Sequence, residues 1–249
     1  MTRRTLALAS VVLLGLAVSA ATPSMTGRQQ APAADPRQQP GATMTIYTPE
    51  QHDLYDGQFA ITGSKVYMVG GLEDAPGWDH MDNSGKTAHA VDGTVELDVD
   101  EKANTGTFGA TLQVPDGRLV LTLDRFHEFS PCQDGGIAAF LYEHGSNSGC
   151  GDMNWPKTLV YVAGWGYGHA TLDGKPLYQD YEMHFMVTQG IRDRKTLAVH
   201  YPPAHDGAGA VNPAAQQLDF YIRSPESDSR NTPGRKVFAH FFAMNVTWK

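Results

Sequence analysis

Thr107-Phe108-Gly109-Ala110-Thr111-Leu112-Gln113-Val114 runs into Pro115-Asp116-Gly117, and out of that triplet comes Arg118-Leu119-Val120-Leu121-Thr122-Leu123-Asp124. Leu119, Leu121 and Leu123 alternate with Val120, Thr122 and Asp124, the two-residue period of a strand that buries one face. The triplet has turn chemistry: proline presets φ, aspartate bonds its own backbone, and glycine accepts a positive φ. Two strands joined by so short a turn must run antiparallel. The pattern recurs outward in both directions. Val95, Leu97 and Val99 alternate with Glu96 and Asp98, and Leu218, Phe220 and Ile222 with Asp219, Tyr221 and Arg223. Residues 58–61, 65–69, 159–163, 181–188, 196–201 and 237–248 read as further strands, about ten in all. Asn104-Thr105-Gly106 and Asp173-Gly174-Lys175 supply more turns. No stretch longer than about ten residues keeps a 3.6 period free of Gly or Pro, so helix is expected to be nearly absent. The fold class is all-β. An antiparallel, jelly-roll-like β-sandwich is the first expectation, and a closed β-barrel the alternative.

The chain has 249 residues with 26 Gly, 15 Pro and only 18% charged residues, a composition that excludes a coiled coil or an acidic disordered tail. Asp and Glu number 27 against 19 Lys and Arg, for a net charge of −8. The balance is more acidic still once Arg3, Arg4, Arg28 and Arg37 near the amino terminus are set aside. Affinity for phosphate backbones needs clustered cations. The densest basic runs, Arg192, Arg194 and Lys195 and then Arg235 and Lys236, are short and read as solvated turns, so no nucleic-acid partner is expected.

Arg3 and Arg4, the apolar run 6–18 and the small residues Ser19 and Ala20 follow the order of a removable signal peptide over residues 1–20. An apolar run of that length falls short of the ~20 residues that span a bilayer. Stable membrane insertion is therefore not expected, and the paired arginines leave export in the folded state open beside the general secretory route. Residues 21–44 are Ala, Pro, Gln, Thr and Gly with no aromatic cluster, and read as a flexible linker. One domain over 45–249 follows, secreted or periplasmic. Cys132 and Cys150 are the two cysteines of the chain, and in an oxidising compartment they are expected to form a disulfide.

Familiar catalytic signatures are missing. Gly145-Ser146-Asn147-Ser148-Gly149 has Asn147 where a nucleophile elbow needs serine. Gly164, Gly166 and Gly168 alternate with Trp165 and Tyr167 and lack the spacing of a phosphate cradle. Among the 10 histidines, His184 sits in the most informative context. If 181–188 is extended, Asp180, Glu182, His184 and Met186 share one face and Tyr181, Met183, Phe185 and Val187 the other. Near the carboxyl terminus, His240 lies between Phe238 and Phe242 on the face that also carries Met244. His184, Glu182, His240, His169 and Met186 are thus candidate ligands of a transition metal, Zn or, given the thioether, Cu. The competing interpretation makes 180, 182 and 184 the solvent face of an edge strand and His240 a core histidine. A second constellation, Trp155, Tyr161, Trp165 and Tyr167 in a Gly-rich segment, suits stacking on a saccharide.

The expected function is that of an exported, soluble, all-β binding protein with a His-centred site, one whose residue types would suit a transition-metal ion but leave the ligand open. The alternatives are a carbohydrate-binding or lyase-like protein, with His184, Tyr181 or Tyr161 moving the proton, and an envelope interaction domain.

Overall fold

The computed structural model describes residues 57–72, 84–128, 135–143, 158–200, 212–224 and 238–249, with side chains of 212–214 excepted. All belong to one unit, Ala33–Lys249. The proposed leader and linker, Cys132, Cys150 and Trp155 lie outside the described residues.

Nine strands follow one another: β1 (Gln58–Val69), β2 (Ala88–Asp100), β3 (Thr105–Val114), β4 (Gly117–Phe126), β5 (Ile137–Tyr142), β6 (Leu159–Leu172), β7 (Lys175–Gly190), β8 (Asn212–Arg223) and β9 (Phe238–Trp248). They form one sheet in the order β4-β3-β2-β1-β9-β8-β7-β6-β5, and a further pairing of β4 with β6 closes it. The architecture is therefore an antiparallel barrel of eight strands, with β5 added beside the first half of β6. This corrects the preference for a sandwich. Closure rests on the 14-residue length of β6: its start pairs with β5 from Leu159 to Gly164, and its end with β4 from Gly166 to Leu172.

The turns are made as their residues dictate. Pro115-Asp116 links β3 to β4, and Gly117 follows at φ 140°. Asp173 and Gly174 link β6 to β7 with φ of 50° and 76°, both left-handed, as a two-residue hairpin turn of the primed type requires. The two tips are tied together, since Asp173 Oδ1 accepts the Arg118 N–H at 2.9 Å and Arg118 O accepts the Asp173 N–H at 2.9 Å. Where β4 ends and β5 begins, Asn104 stands in for a strand neighbour: its amide donates to His127 O and its carbonyl accepts the Ile137 N–H, each at 2.8 Å.

Inside the barrel, Phe59, Phe108, Phe140, Phe185, Phe220 and Phe241 are almost wholly buried among leucines and valines of β2, β3 and β4. Each such side chain contributes roughly 1.5–3 kcal/mol by burial. Phe108 stacks on Phe185 at 4.8 Å between centroids, and Phe220 on Phe241 at 5.3 Å. The glycines of β6 make room for them. A Cβ on Gly164 would stand 2.5 Å from the Phe185 ring, and one on Gly168 would collide with the Met183 sulfur and with Thr122 O. Close approach of strands, the structural use of glycine, accounts for the Gly-Trp-Gly-Tyr-Gly alternation.

One expected strand is absent among the described residues, and the expected strands 58–61 and 65–69 are parts of the single strand β1. Residues 196–201 do not form a strand among the described residues: Val199 makes an isolated bridge to Arg192, because Asp193 Oδ1 takes the N–H groups of Lys195 and Thr196 and turns the chain. In β7, Tyr178 and Tyr181 both point into the barrel and stack at 5.0 Å. The extra residue this demands is absorbed near Asp180, which has a φ of 56°.

Candidate functional site on the outer wall

The cross-strand register sets four side chains in one row on the outside of the barrel: Trp165 on β6, His184 on β7, Tyr221 on β8 and His240 on β9. Alternation with the inward Phe185, Phe220 and Phe241 places them there. The adjacent row holds Glu182 opposite Arg223, and the row on the other side holds Met186, Asp219 and Phe242. An outer wall is normally wet. This one is dry: His184 is 2% exposed, His240 1% and Asp219 4%.

Charges in a dry wall must be paired. Arg223 Nε meets Glu182 Oε2 at 2.5 Å, and its guanidinium carbon lies 5.1 Å from the centre of the Trp165 ring. Arg192 Nε stands 3.9 Å from Asp219 Oδ1, with its guanidinium 4.1 Å over the Phe242 ring. The basic run around Arg192 is therefore not a solvated turn at this residue, whose side chain is wholly covered. Gln217 fixes the corner: its carbonyl oxygen accepts the N–H groups of Ile191 and Arg192, and its amide donates to Asp219 Oδ2.

The two histidines differ. His184 stacks on Trp165 at 4.0 Å, and its Nδ1–H donates to Gly164 O at 2.8 Å. That bond makes Nε2 the atom carrying the lone pair. Neither ring nitrogen of His240 has a hydrogen-bond partner among the described residues. Its Nε2 faces Asp219 Oδ1, which likewise has no hydrogen-bond partner there, across 3.6 Å. Burial pushes the His240 imidazole below the ordinary histidine value; Asp219 opposes the shift and the Arg192 charge adds to it. His240 is neutral at pH 7.

The five candidate metal ligands are not gathered. Glu182 is engaged by Arg223. Tyr221 stands between His184 and His240 in the row, so the two imidazoles are two strands apart. Met186 packs with Val160 and Ala163. His169 lies further along β6 at the barrel's other end, its Nδ1 2.9 Å from both oxygens of Asp124. Among the described residues no three His, Cys, Asp or Glu side chains lie close enough together to hold a metal ion. The aromatic platform divides as well. Tyr161 points into the barrel against Trp248, while Trp165 and Tyr167 face outward. Tyr167 is flanked by the Arg125 guanidinium at 4.5 Å and by the His127 ring at 4.7 Å. Of the three residues considered for proton transfer, Tyr161 and Tyr181 belong to the barrel core and His184 alone lies on the outer wall.

Asp219, Tyr221, Arg223 and Arg192 complete the site and were not anticipated as functional. The signal was present: β8 alternates an acid, an aromatic and a base on the face assigned to water, a mixture that a purely solvated face does not need. Compared with protein-family models, curated proteins and solved structures, the chain matches none.

Proposed function

We propose that the chain is an exported all-β binding protein whose site is the dry outer wall of β6 to β9, centred on His240 and His184. The observation that carries this is His240, a neutral imidazole buried to 1% whose ring nitrogens and facing carboxylate oxygen have no hydrogen-bond partner among the described residues. An imidazole kept in that state is costly unless something completes it. Export is supported by the basic, apolar and small-residue order of residues 1–20. A water-facing barrel is supported by Asp92, Thr94, Glu96, Asp98 and Thr111, all exposed on the outside of β2 and β3.

A transition-metal ion is the second reading of the ligand. It is favoured by the 3.6 Å between His240 Nε2 and Asp219 Oδ1, close to the separation of two ligands held ~2.0–2.1 Å from one ion. Native mass spectrometry of the purified chain tests the proposal. A bound ion or small molecule is expected on the wild type and absent from His240→Ala, with elemental analysis of the same samples telling the two apart. Identical bare masses for both proteins overturn it.

A further inference from the structure

A ligand that completes His240 has to reach a ring that is 1% exposed, so part of the wall must open. Among the described residues, the element outside the sheet that touches this corner is the hairpin 191–200, whose Arg192 stands against Asp219. We propose that the tip of this hairpin, residues 193–198, is a strap that closes the His-centred site and lifts as a unit to admit its ligand, with Leu197 as the latch, an inference that rests on the function proposed above.

The tip is built to move in one piece. Asp193 O accepts the Leu197 N–H and Ala198 O the Asp193 N–H, each at 2.9 Å, while Asp193 Oδ1 takes the N–H groups of Lys195 at 2.8 Å and Thr196 at 2.7 Å. The base is fixed to the barrel instead, where Gln217 Oε1 accepts the Ile191 and Arg192 N–H groups, each at 3.1 Å. The hinge therefore falls between Arg192 and Asp193. On the wall the tip is held by looser means. Leu197 is half-buried against Val69, Phe242 and Met244, the backbone of 196–198 rests on Gly85, and the contact of Arg194 Nη2 with Met244 O is long, at 3.4 Å. Leu197 keeps its place at a φ of 60°, a left-handed conformation that is strained for a branched side chain, and lifting releases that strain. Under the hairpin lies a cavity of about 180 Å³ between Asp193 and Arg194 on one side and Gln217 and Met244 on the other, so the tip leaves the wall without breaking a close-packed base. The latch also reaches the site. Leu197 O accepts Arg192 Nη1 at 3.0 Å, which holds the guanidinium 4.1 Å over the Phe242 ring and beside Asp219. When Leu197 lifts, that side chain can swing away and uncover Asp219 and the His240 ring facing it.

Modification of His240 by diethyl pyrocarbonate, which attacks neutral imidazoles and needs no ligand, tests the inference on the whole chain, read by peptide mass spectrometry beside amide hydrogen exchange. Slow modification is expected in the wild type, with the amides of Leu197 and Ala198 exchanging faster than those of β7 and β8. Loss of a half-buried leucine side chain should speed modification about ten-fold in Leu197→Gly and Leu197→Asn, with exchange in β7 and β8 unchanged. Both replacements accept the left-handed backbone, so neither strains the turn. A His240 rate unchanged in the two variants, or one that rises only in step with exchange of β7 and β8, overturns the strap. The two readings fail separately. A His240 rate that depends on Leu197 in a chain without a His240-dependent ligand upholds the strap and refutes the binding function. A His240-dependent ligand on a chain whose His240 rate ignores Leu197 refutes the strap alone.

Discussion

The wall formed by β2, β3 and β4 and the wall formed by β6 to β9 obey the same alternation, yet only one of them is wet outside. On the first, Val95, Leu97, Leu112, Leu119 and Leu121 point inward and Thr94, Glu96, Asp98 and Thr111 meet water. On the second, Met183, Phe185, Phe220 and Phe241 point inward, and outside them Glu182, His184, Asp219, Tyr221, Arg223 and His240 are as buried as a core. Period two tells which side chains share a face, while the dryness of that face depends on what else packs there. A polar face that folding has made dry holds charges that must pair and, in His240, an imidazole that burial keeps neutral. Those are conditions under which a site can discriminate ligands.

The largest expected difference between the walls is in their ion pairs. Arg223→Met leaves the Glu182 carboxylate uncompensated in a dry environment and should cost about 3–5 kcal/mol of unfolding free energy. Glu96→Gln on the wet wall, which breaks a pair with Lys249 whose side chains are 66% and 56% exposed, should cost under about 1 kcal/mol. Urea denaturation of both variants measures this, and similar losses would erase the distinction. A smaller effect concerns packing behind the dry wall. Gly164→Ala drives a methyl to 2.5 Å from the Phe185 ring and should cost about 1–3 kcal/mol, whereas Thr111→Ala on the wet wall should stay within about 0.5 kcal/mol. Thermal melts of the pair would sharpen the comparison.

The third prediction is a pH dependence. His240 is neutral when folded and takes a proton when unfolded, so the unfolded state binds more protons once the pH falls below the ordinary histidine value of about 6.5. Stability from this group is fully present above that value and is lost as the pH falls towards the depressed folded value. The slope should approach about 1.4 kcal/mol per pH unit. His240→Gln should flatten the curve just below about pH 6.5, and an unchanged slope in this variant would assign the dependence to other groups.

Much of the first wall was legible in the sequence, and much less of the second. Leu119, Leu121 and Leu123 announce a half-buried strand because polar residues separate them. Ile137-Ala138-Ala139-Phe140-Leu141-Tyr142 announces nothing, since β5 is buried on both faces and has no alternation to show. It reads as an apolar run inside a loop. Gly164, Gly166 and Gly168 look like loop residues for a related reason: the space a side chain would take is filled by Phe185 at Gly164, by the backbone of Arg125 and Phe126 at Gly166 and by Met183 and Thr122 O at Gly168. That hidden length of β6 conceals the closure as well, so barrel and sandwich predict the same local patterns. At the site, Glu182, His184 and Met186 do share a face, as the strand period requires. The sequence could not show that Tyr221 separates the two histidines or that Arg192, outside the strands, folds back on Asp219. Register and loop path decide both, and neither is periodic.

Histidine-selective ¹⁵N NMR of the whole chain, with His240→Gln for assignment, addresses the central claim most directly: that the outer wall of β6 to β9 is a dry polar site around a neutral His240. The expected spectrum keeps the His240 ring nitrogens at neutral-imidazole shifts as the pH is lowered from 7.5 to the ordinary histidine value of about 6.5, because burial lowers the proton affinity of this ring. A His240 signal already half protonated near pH 6.5 would show that water reaches the wall and would contradict the account.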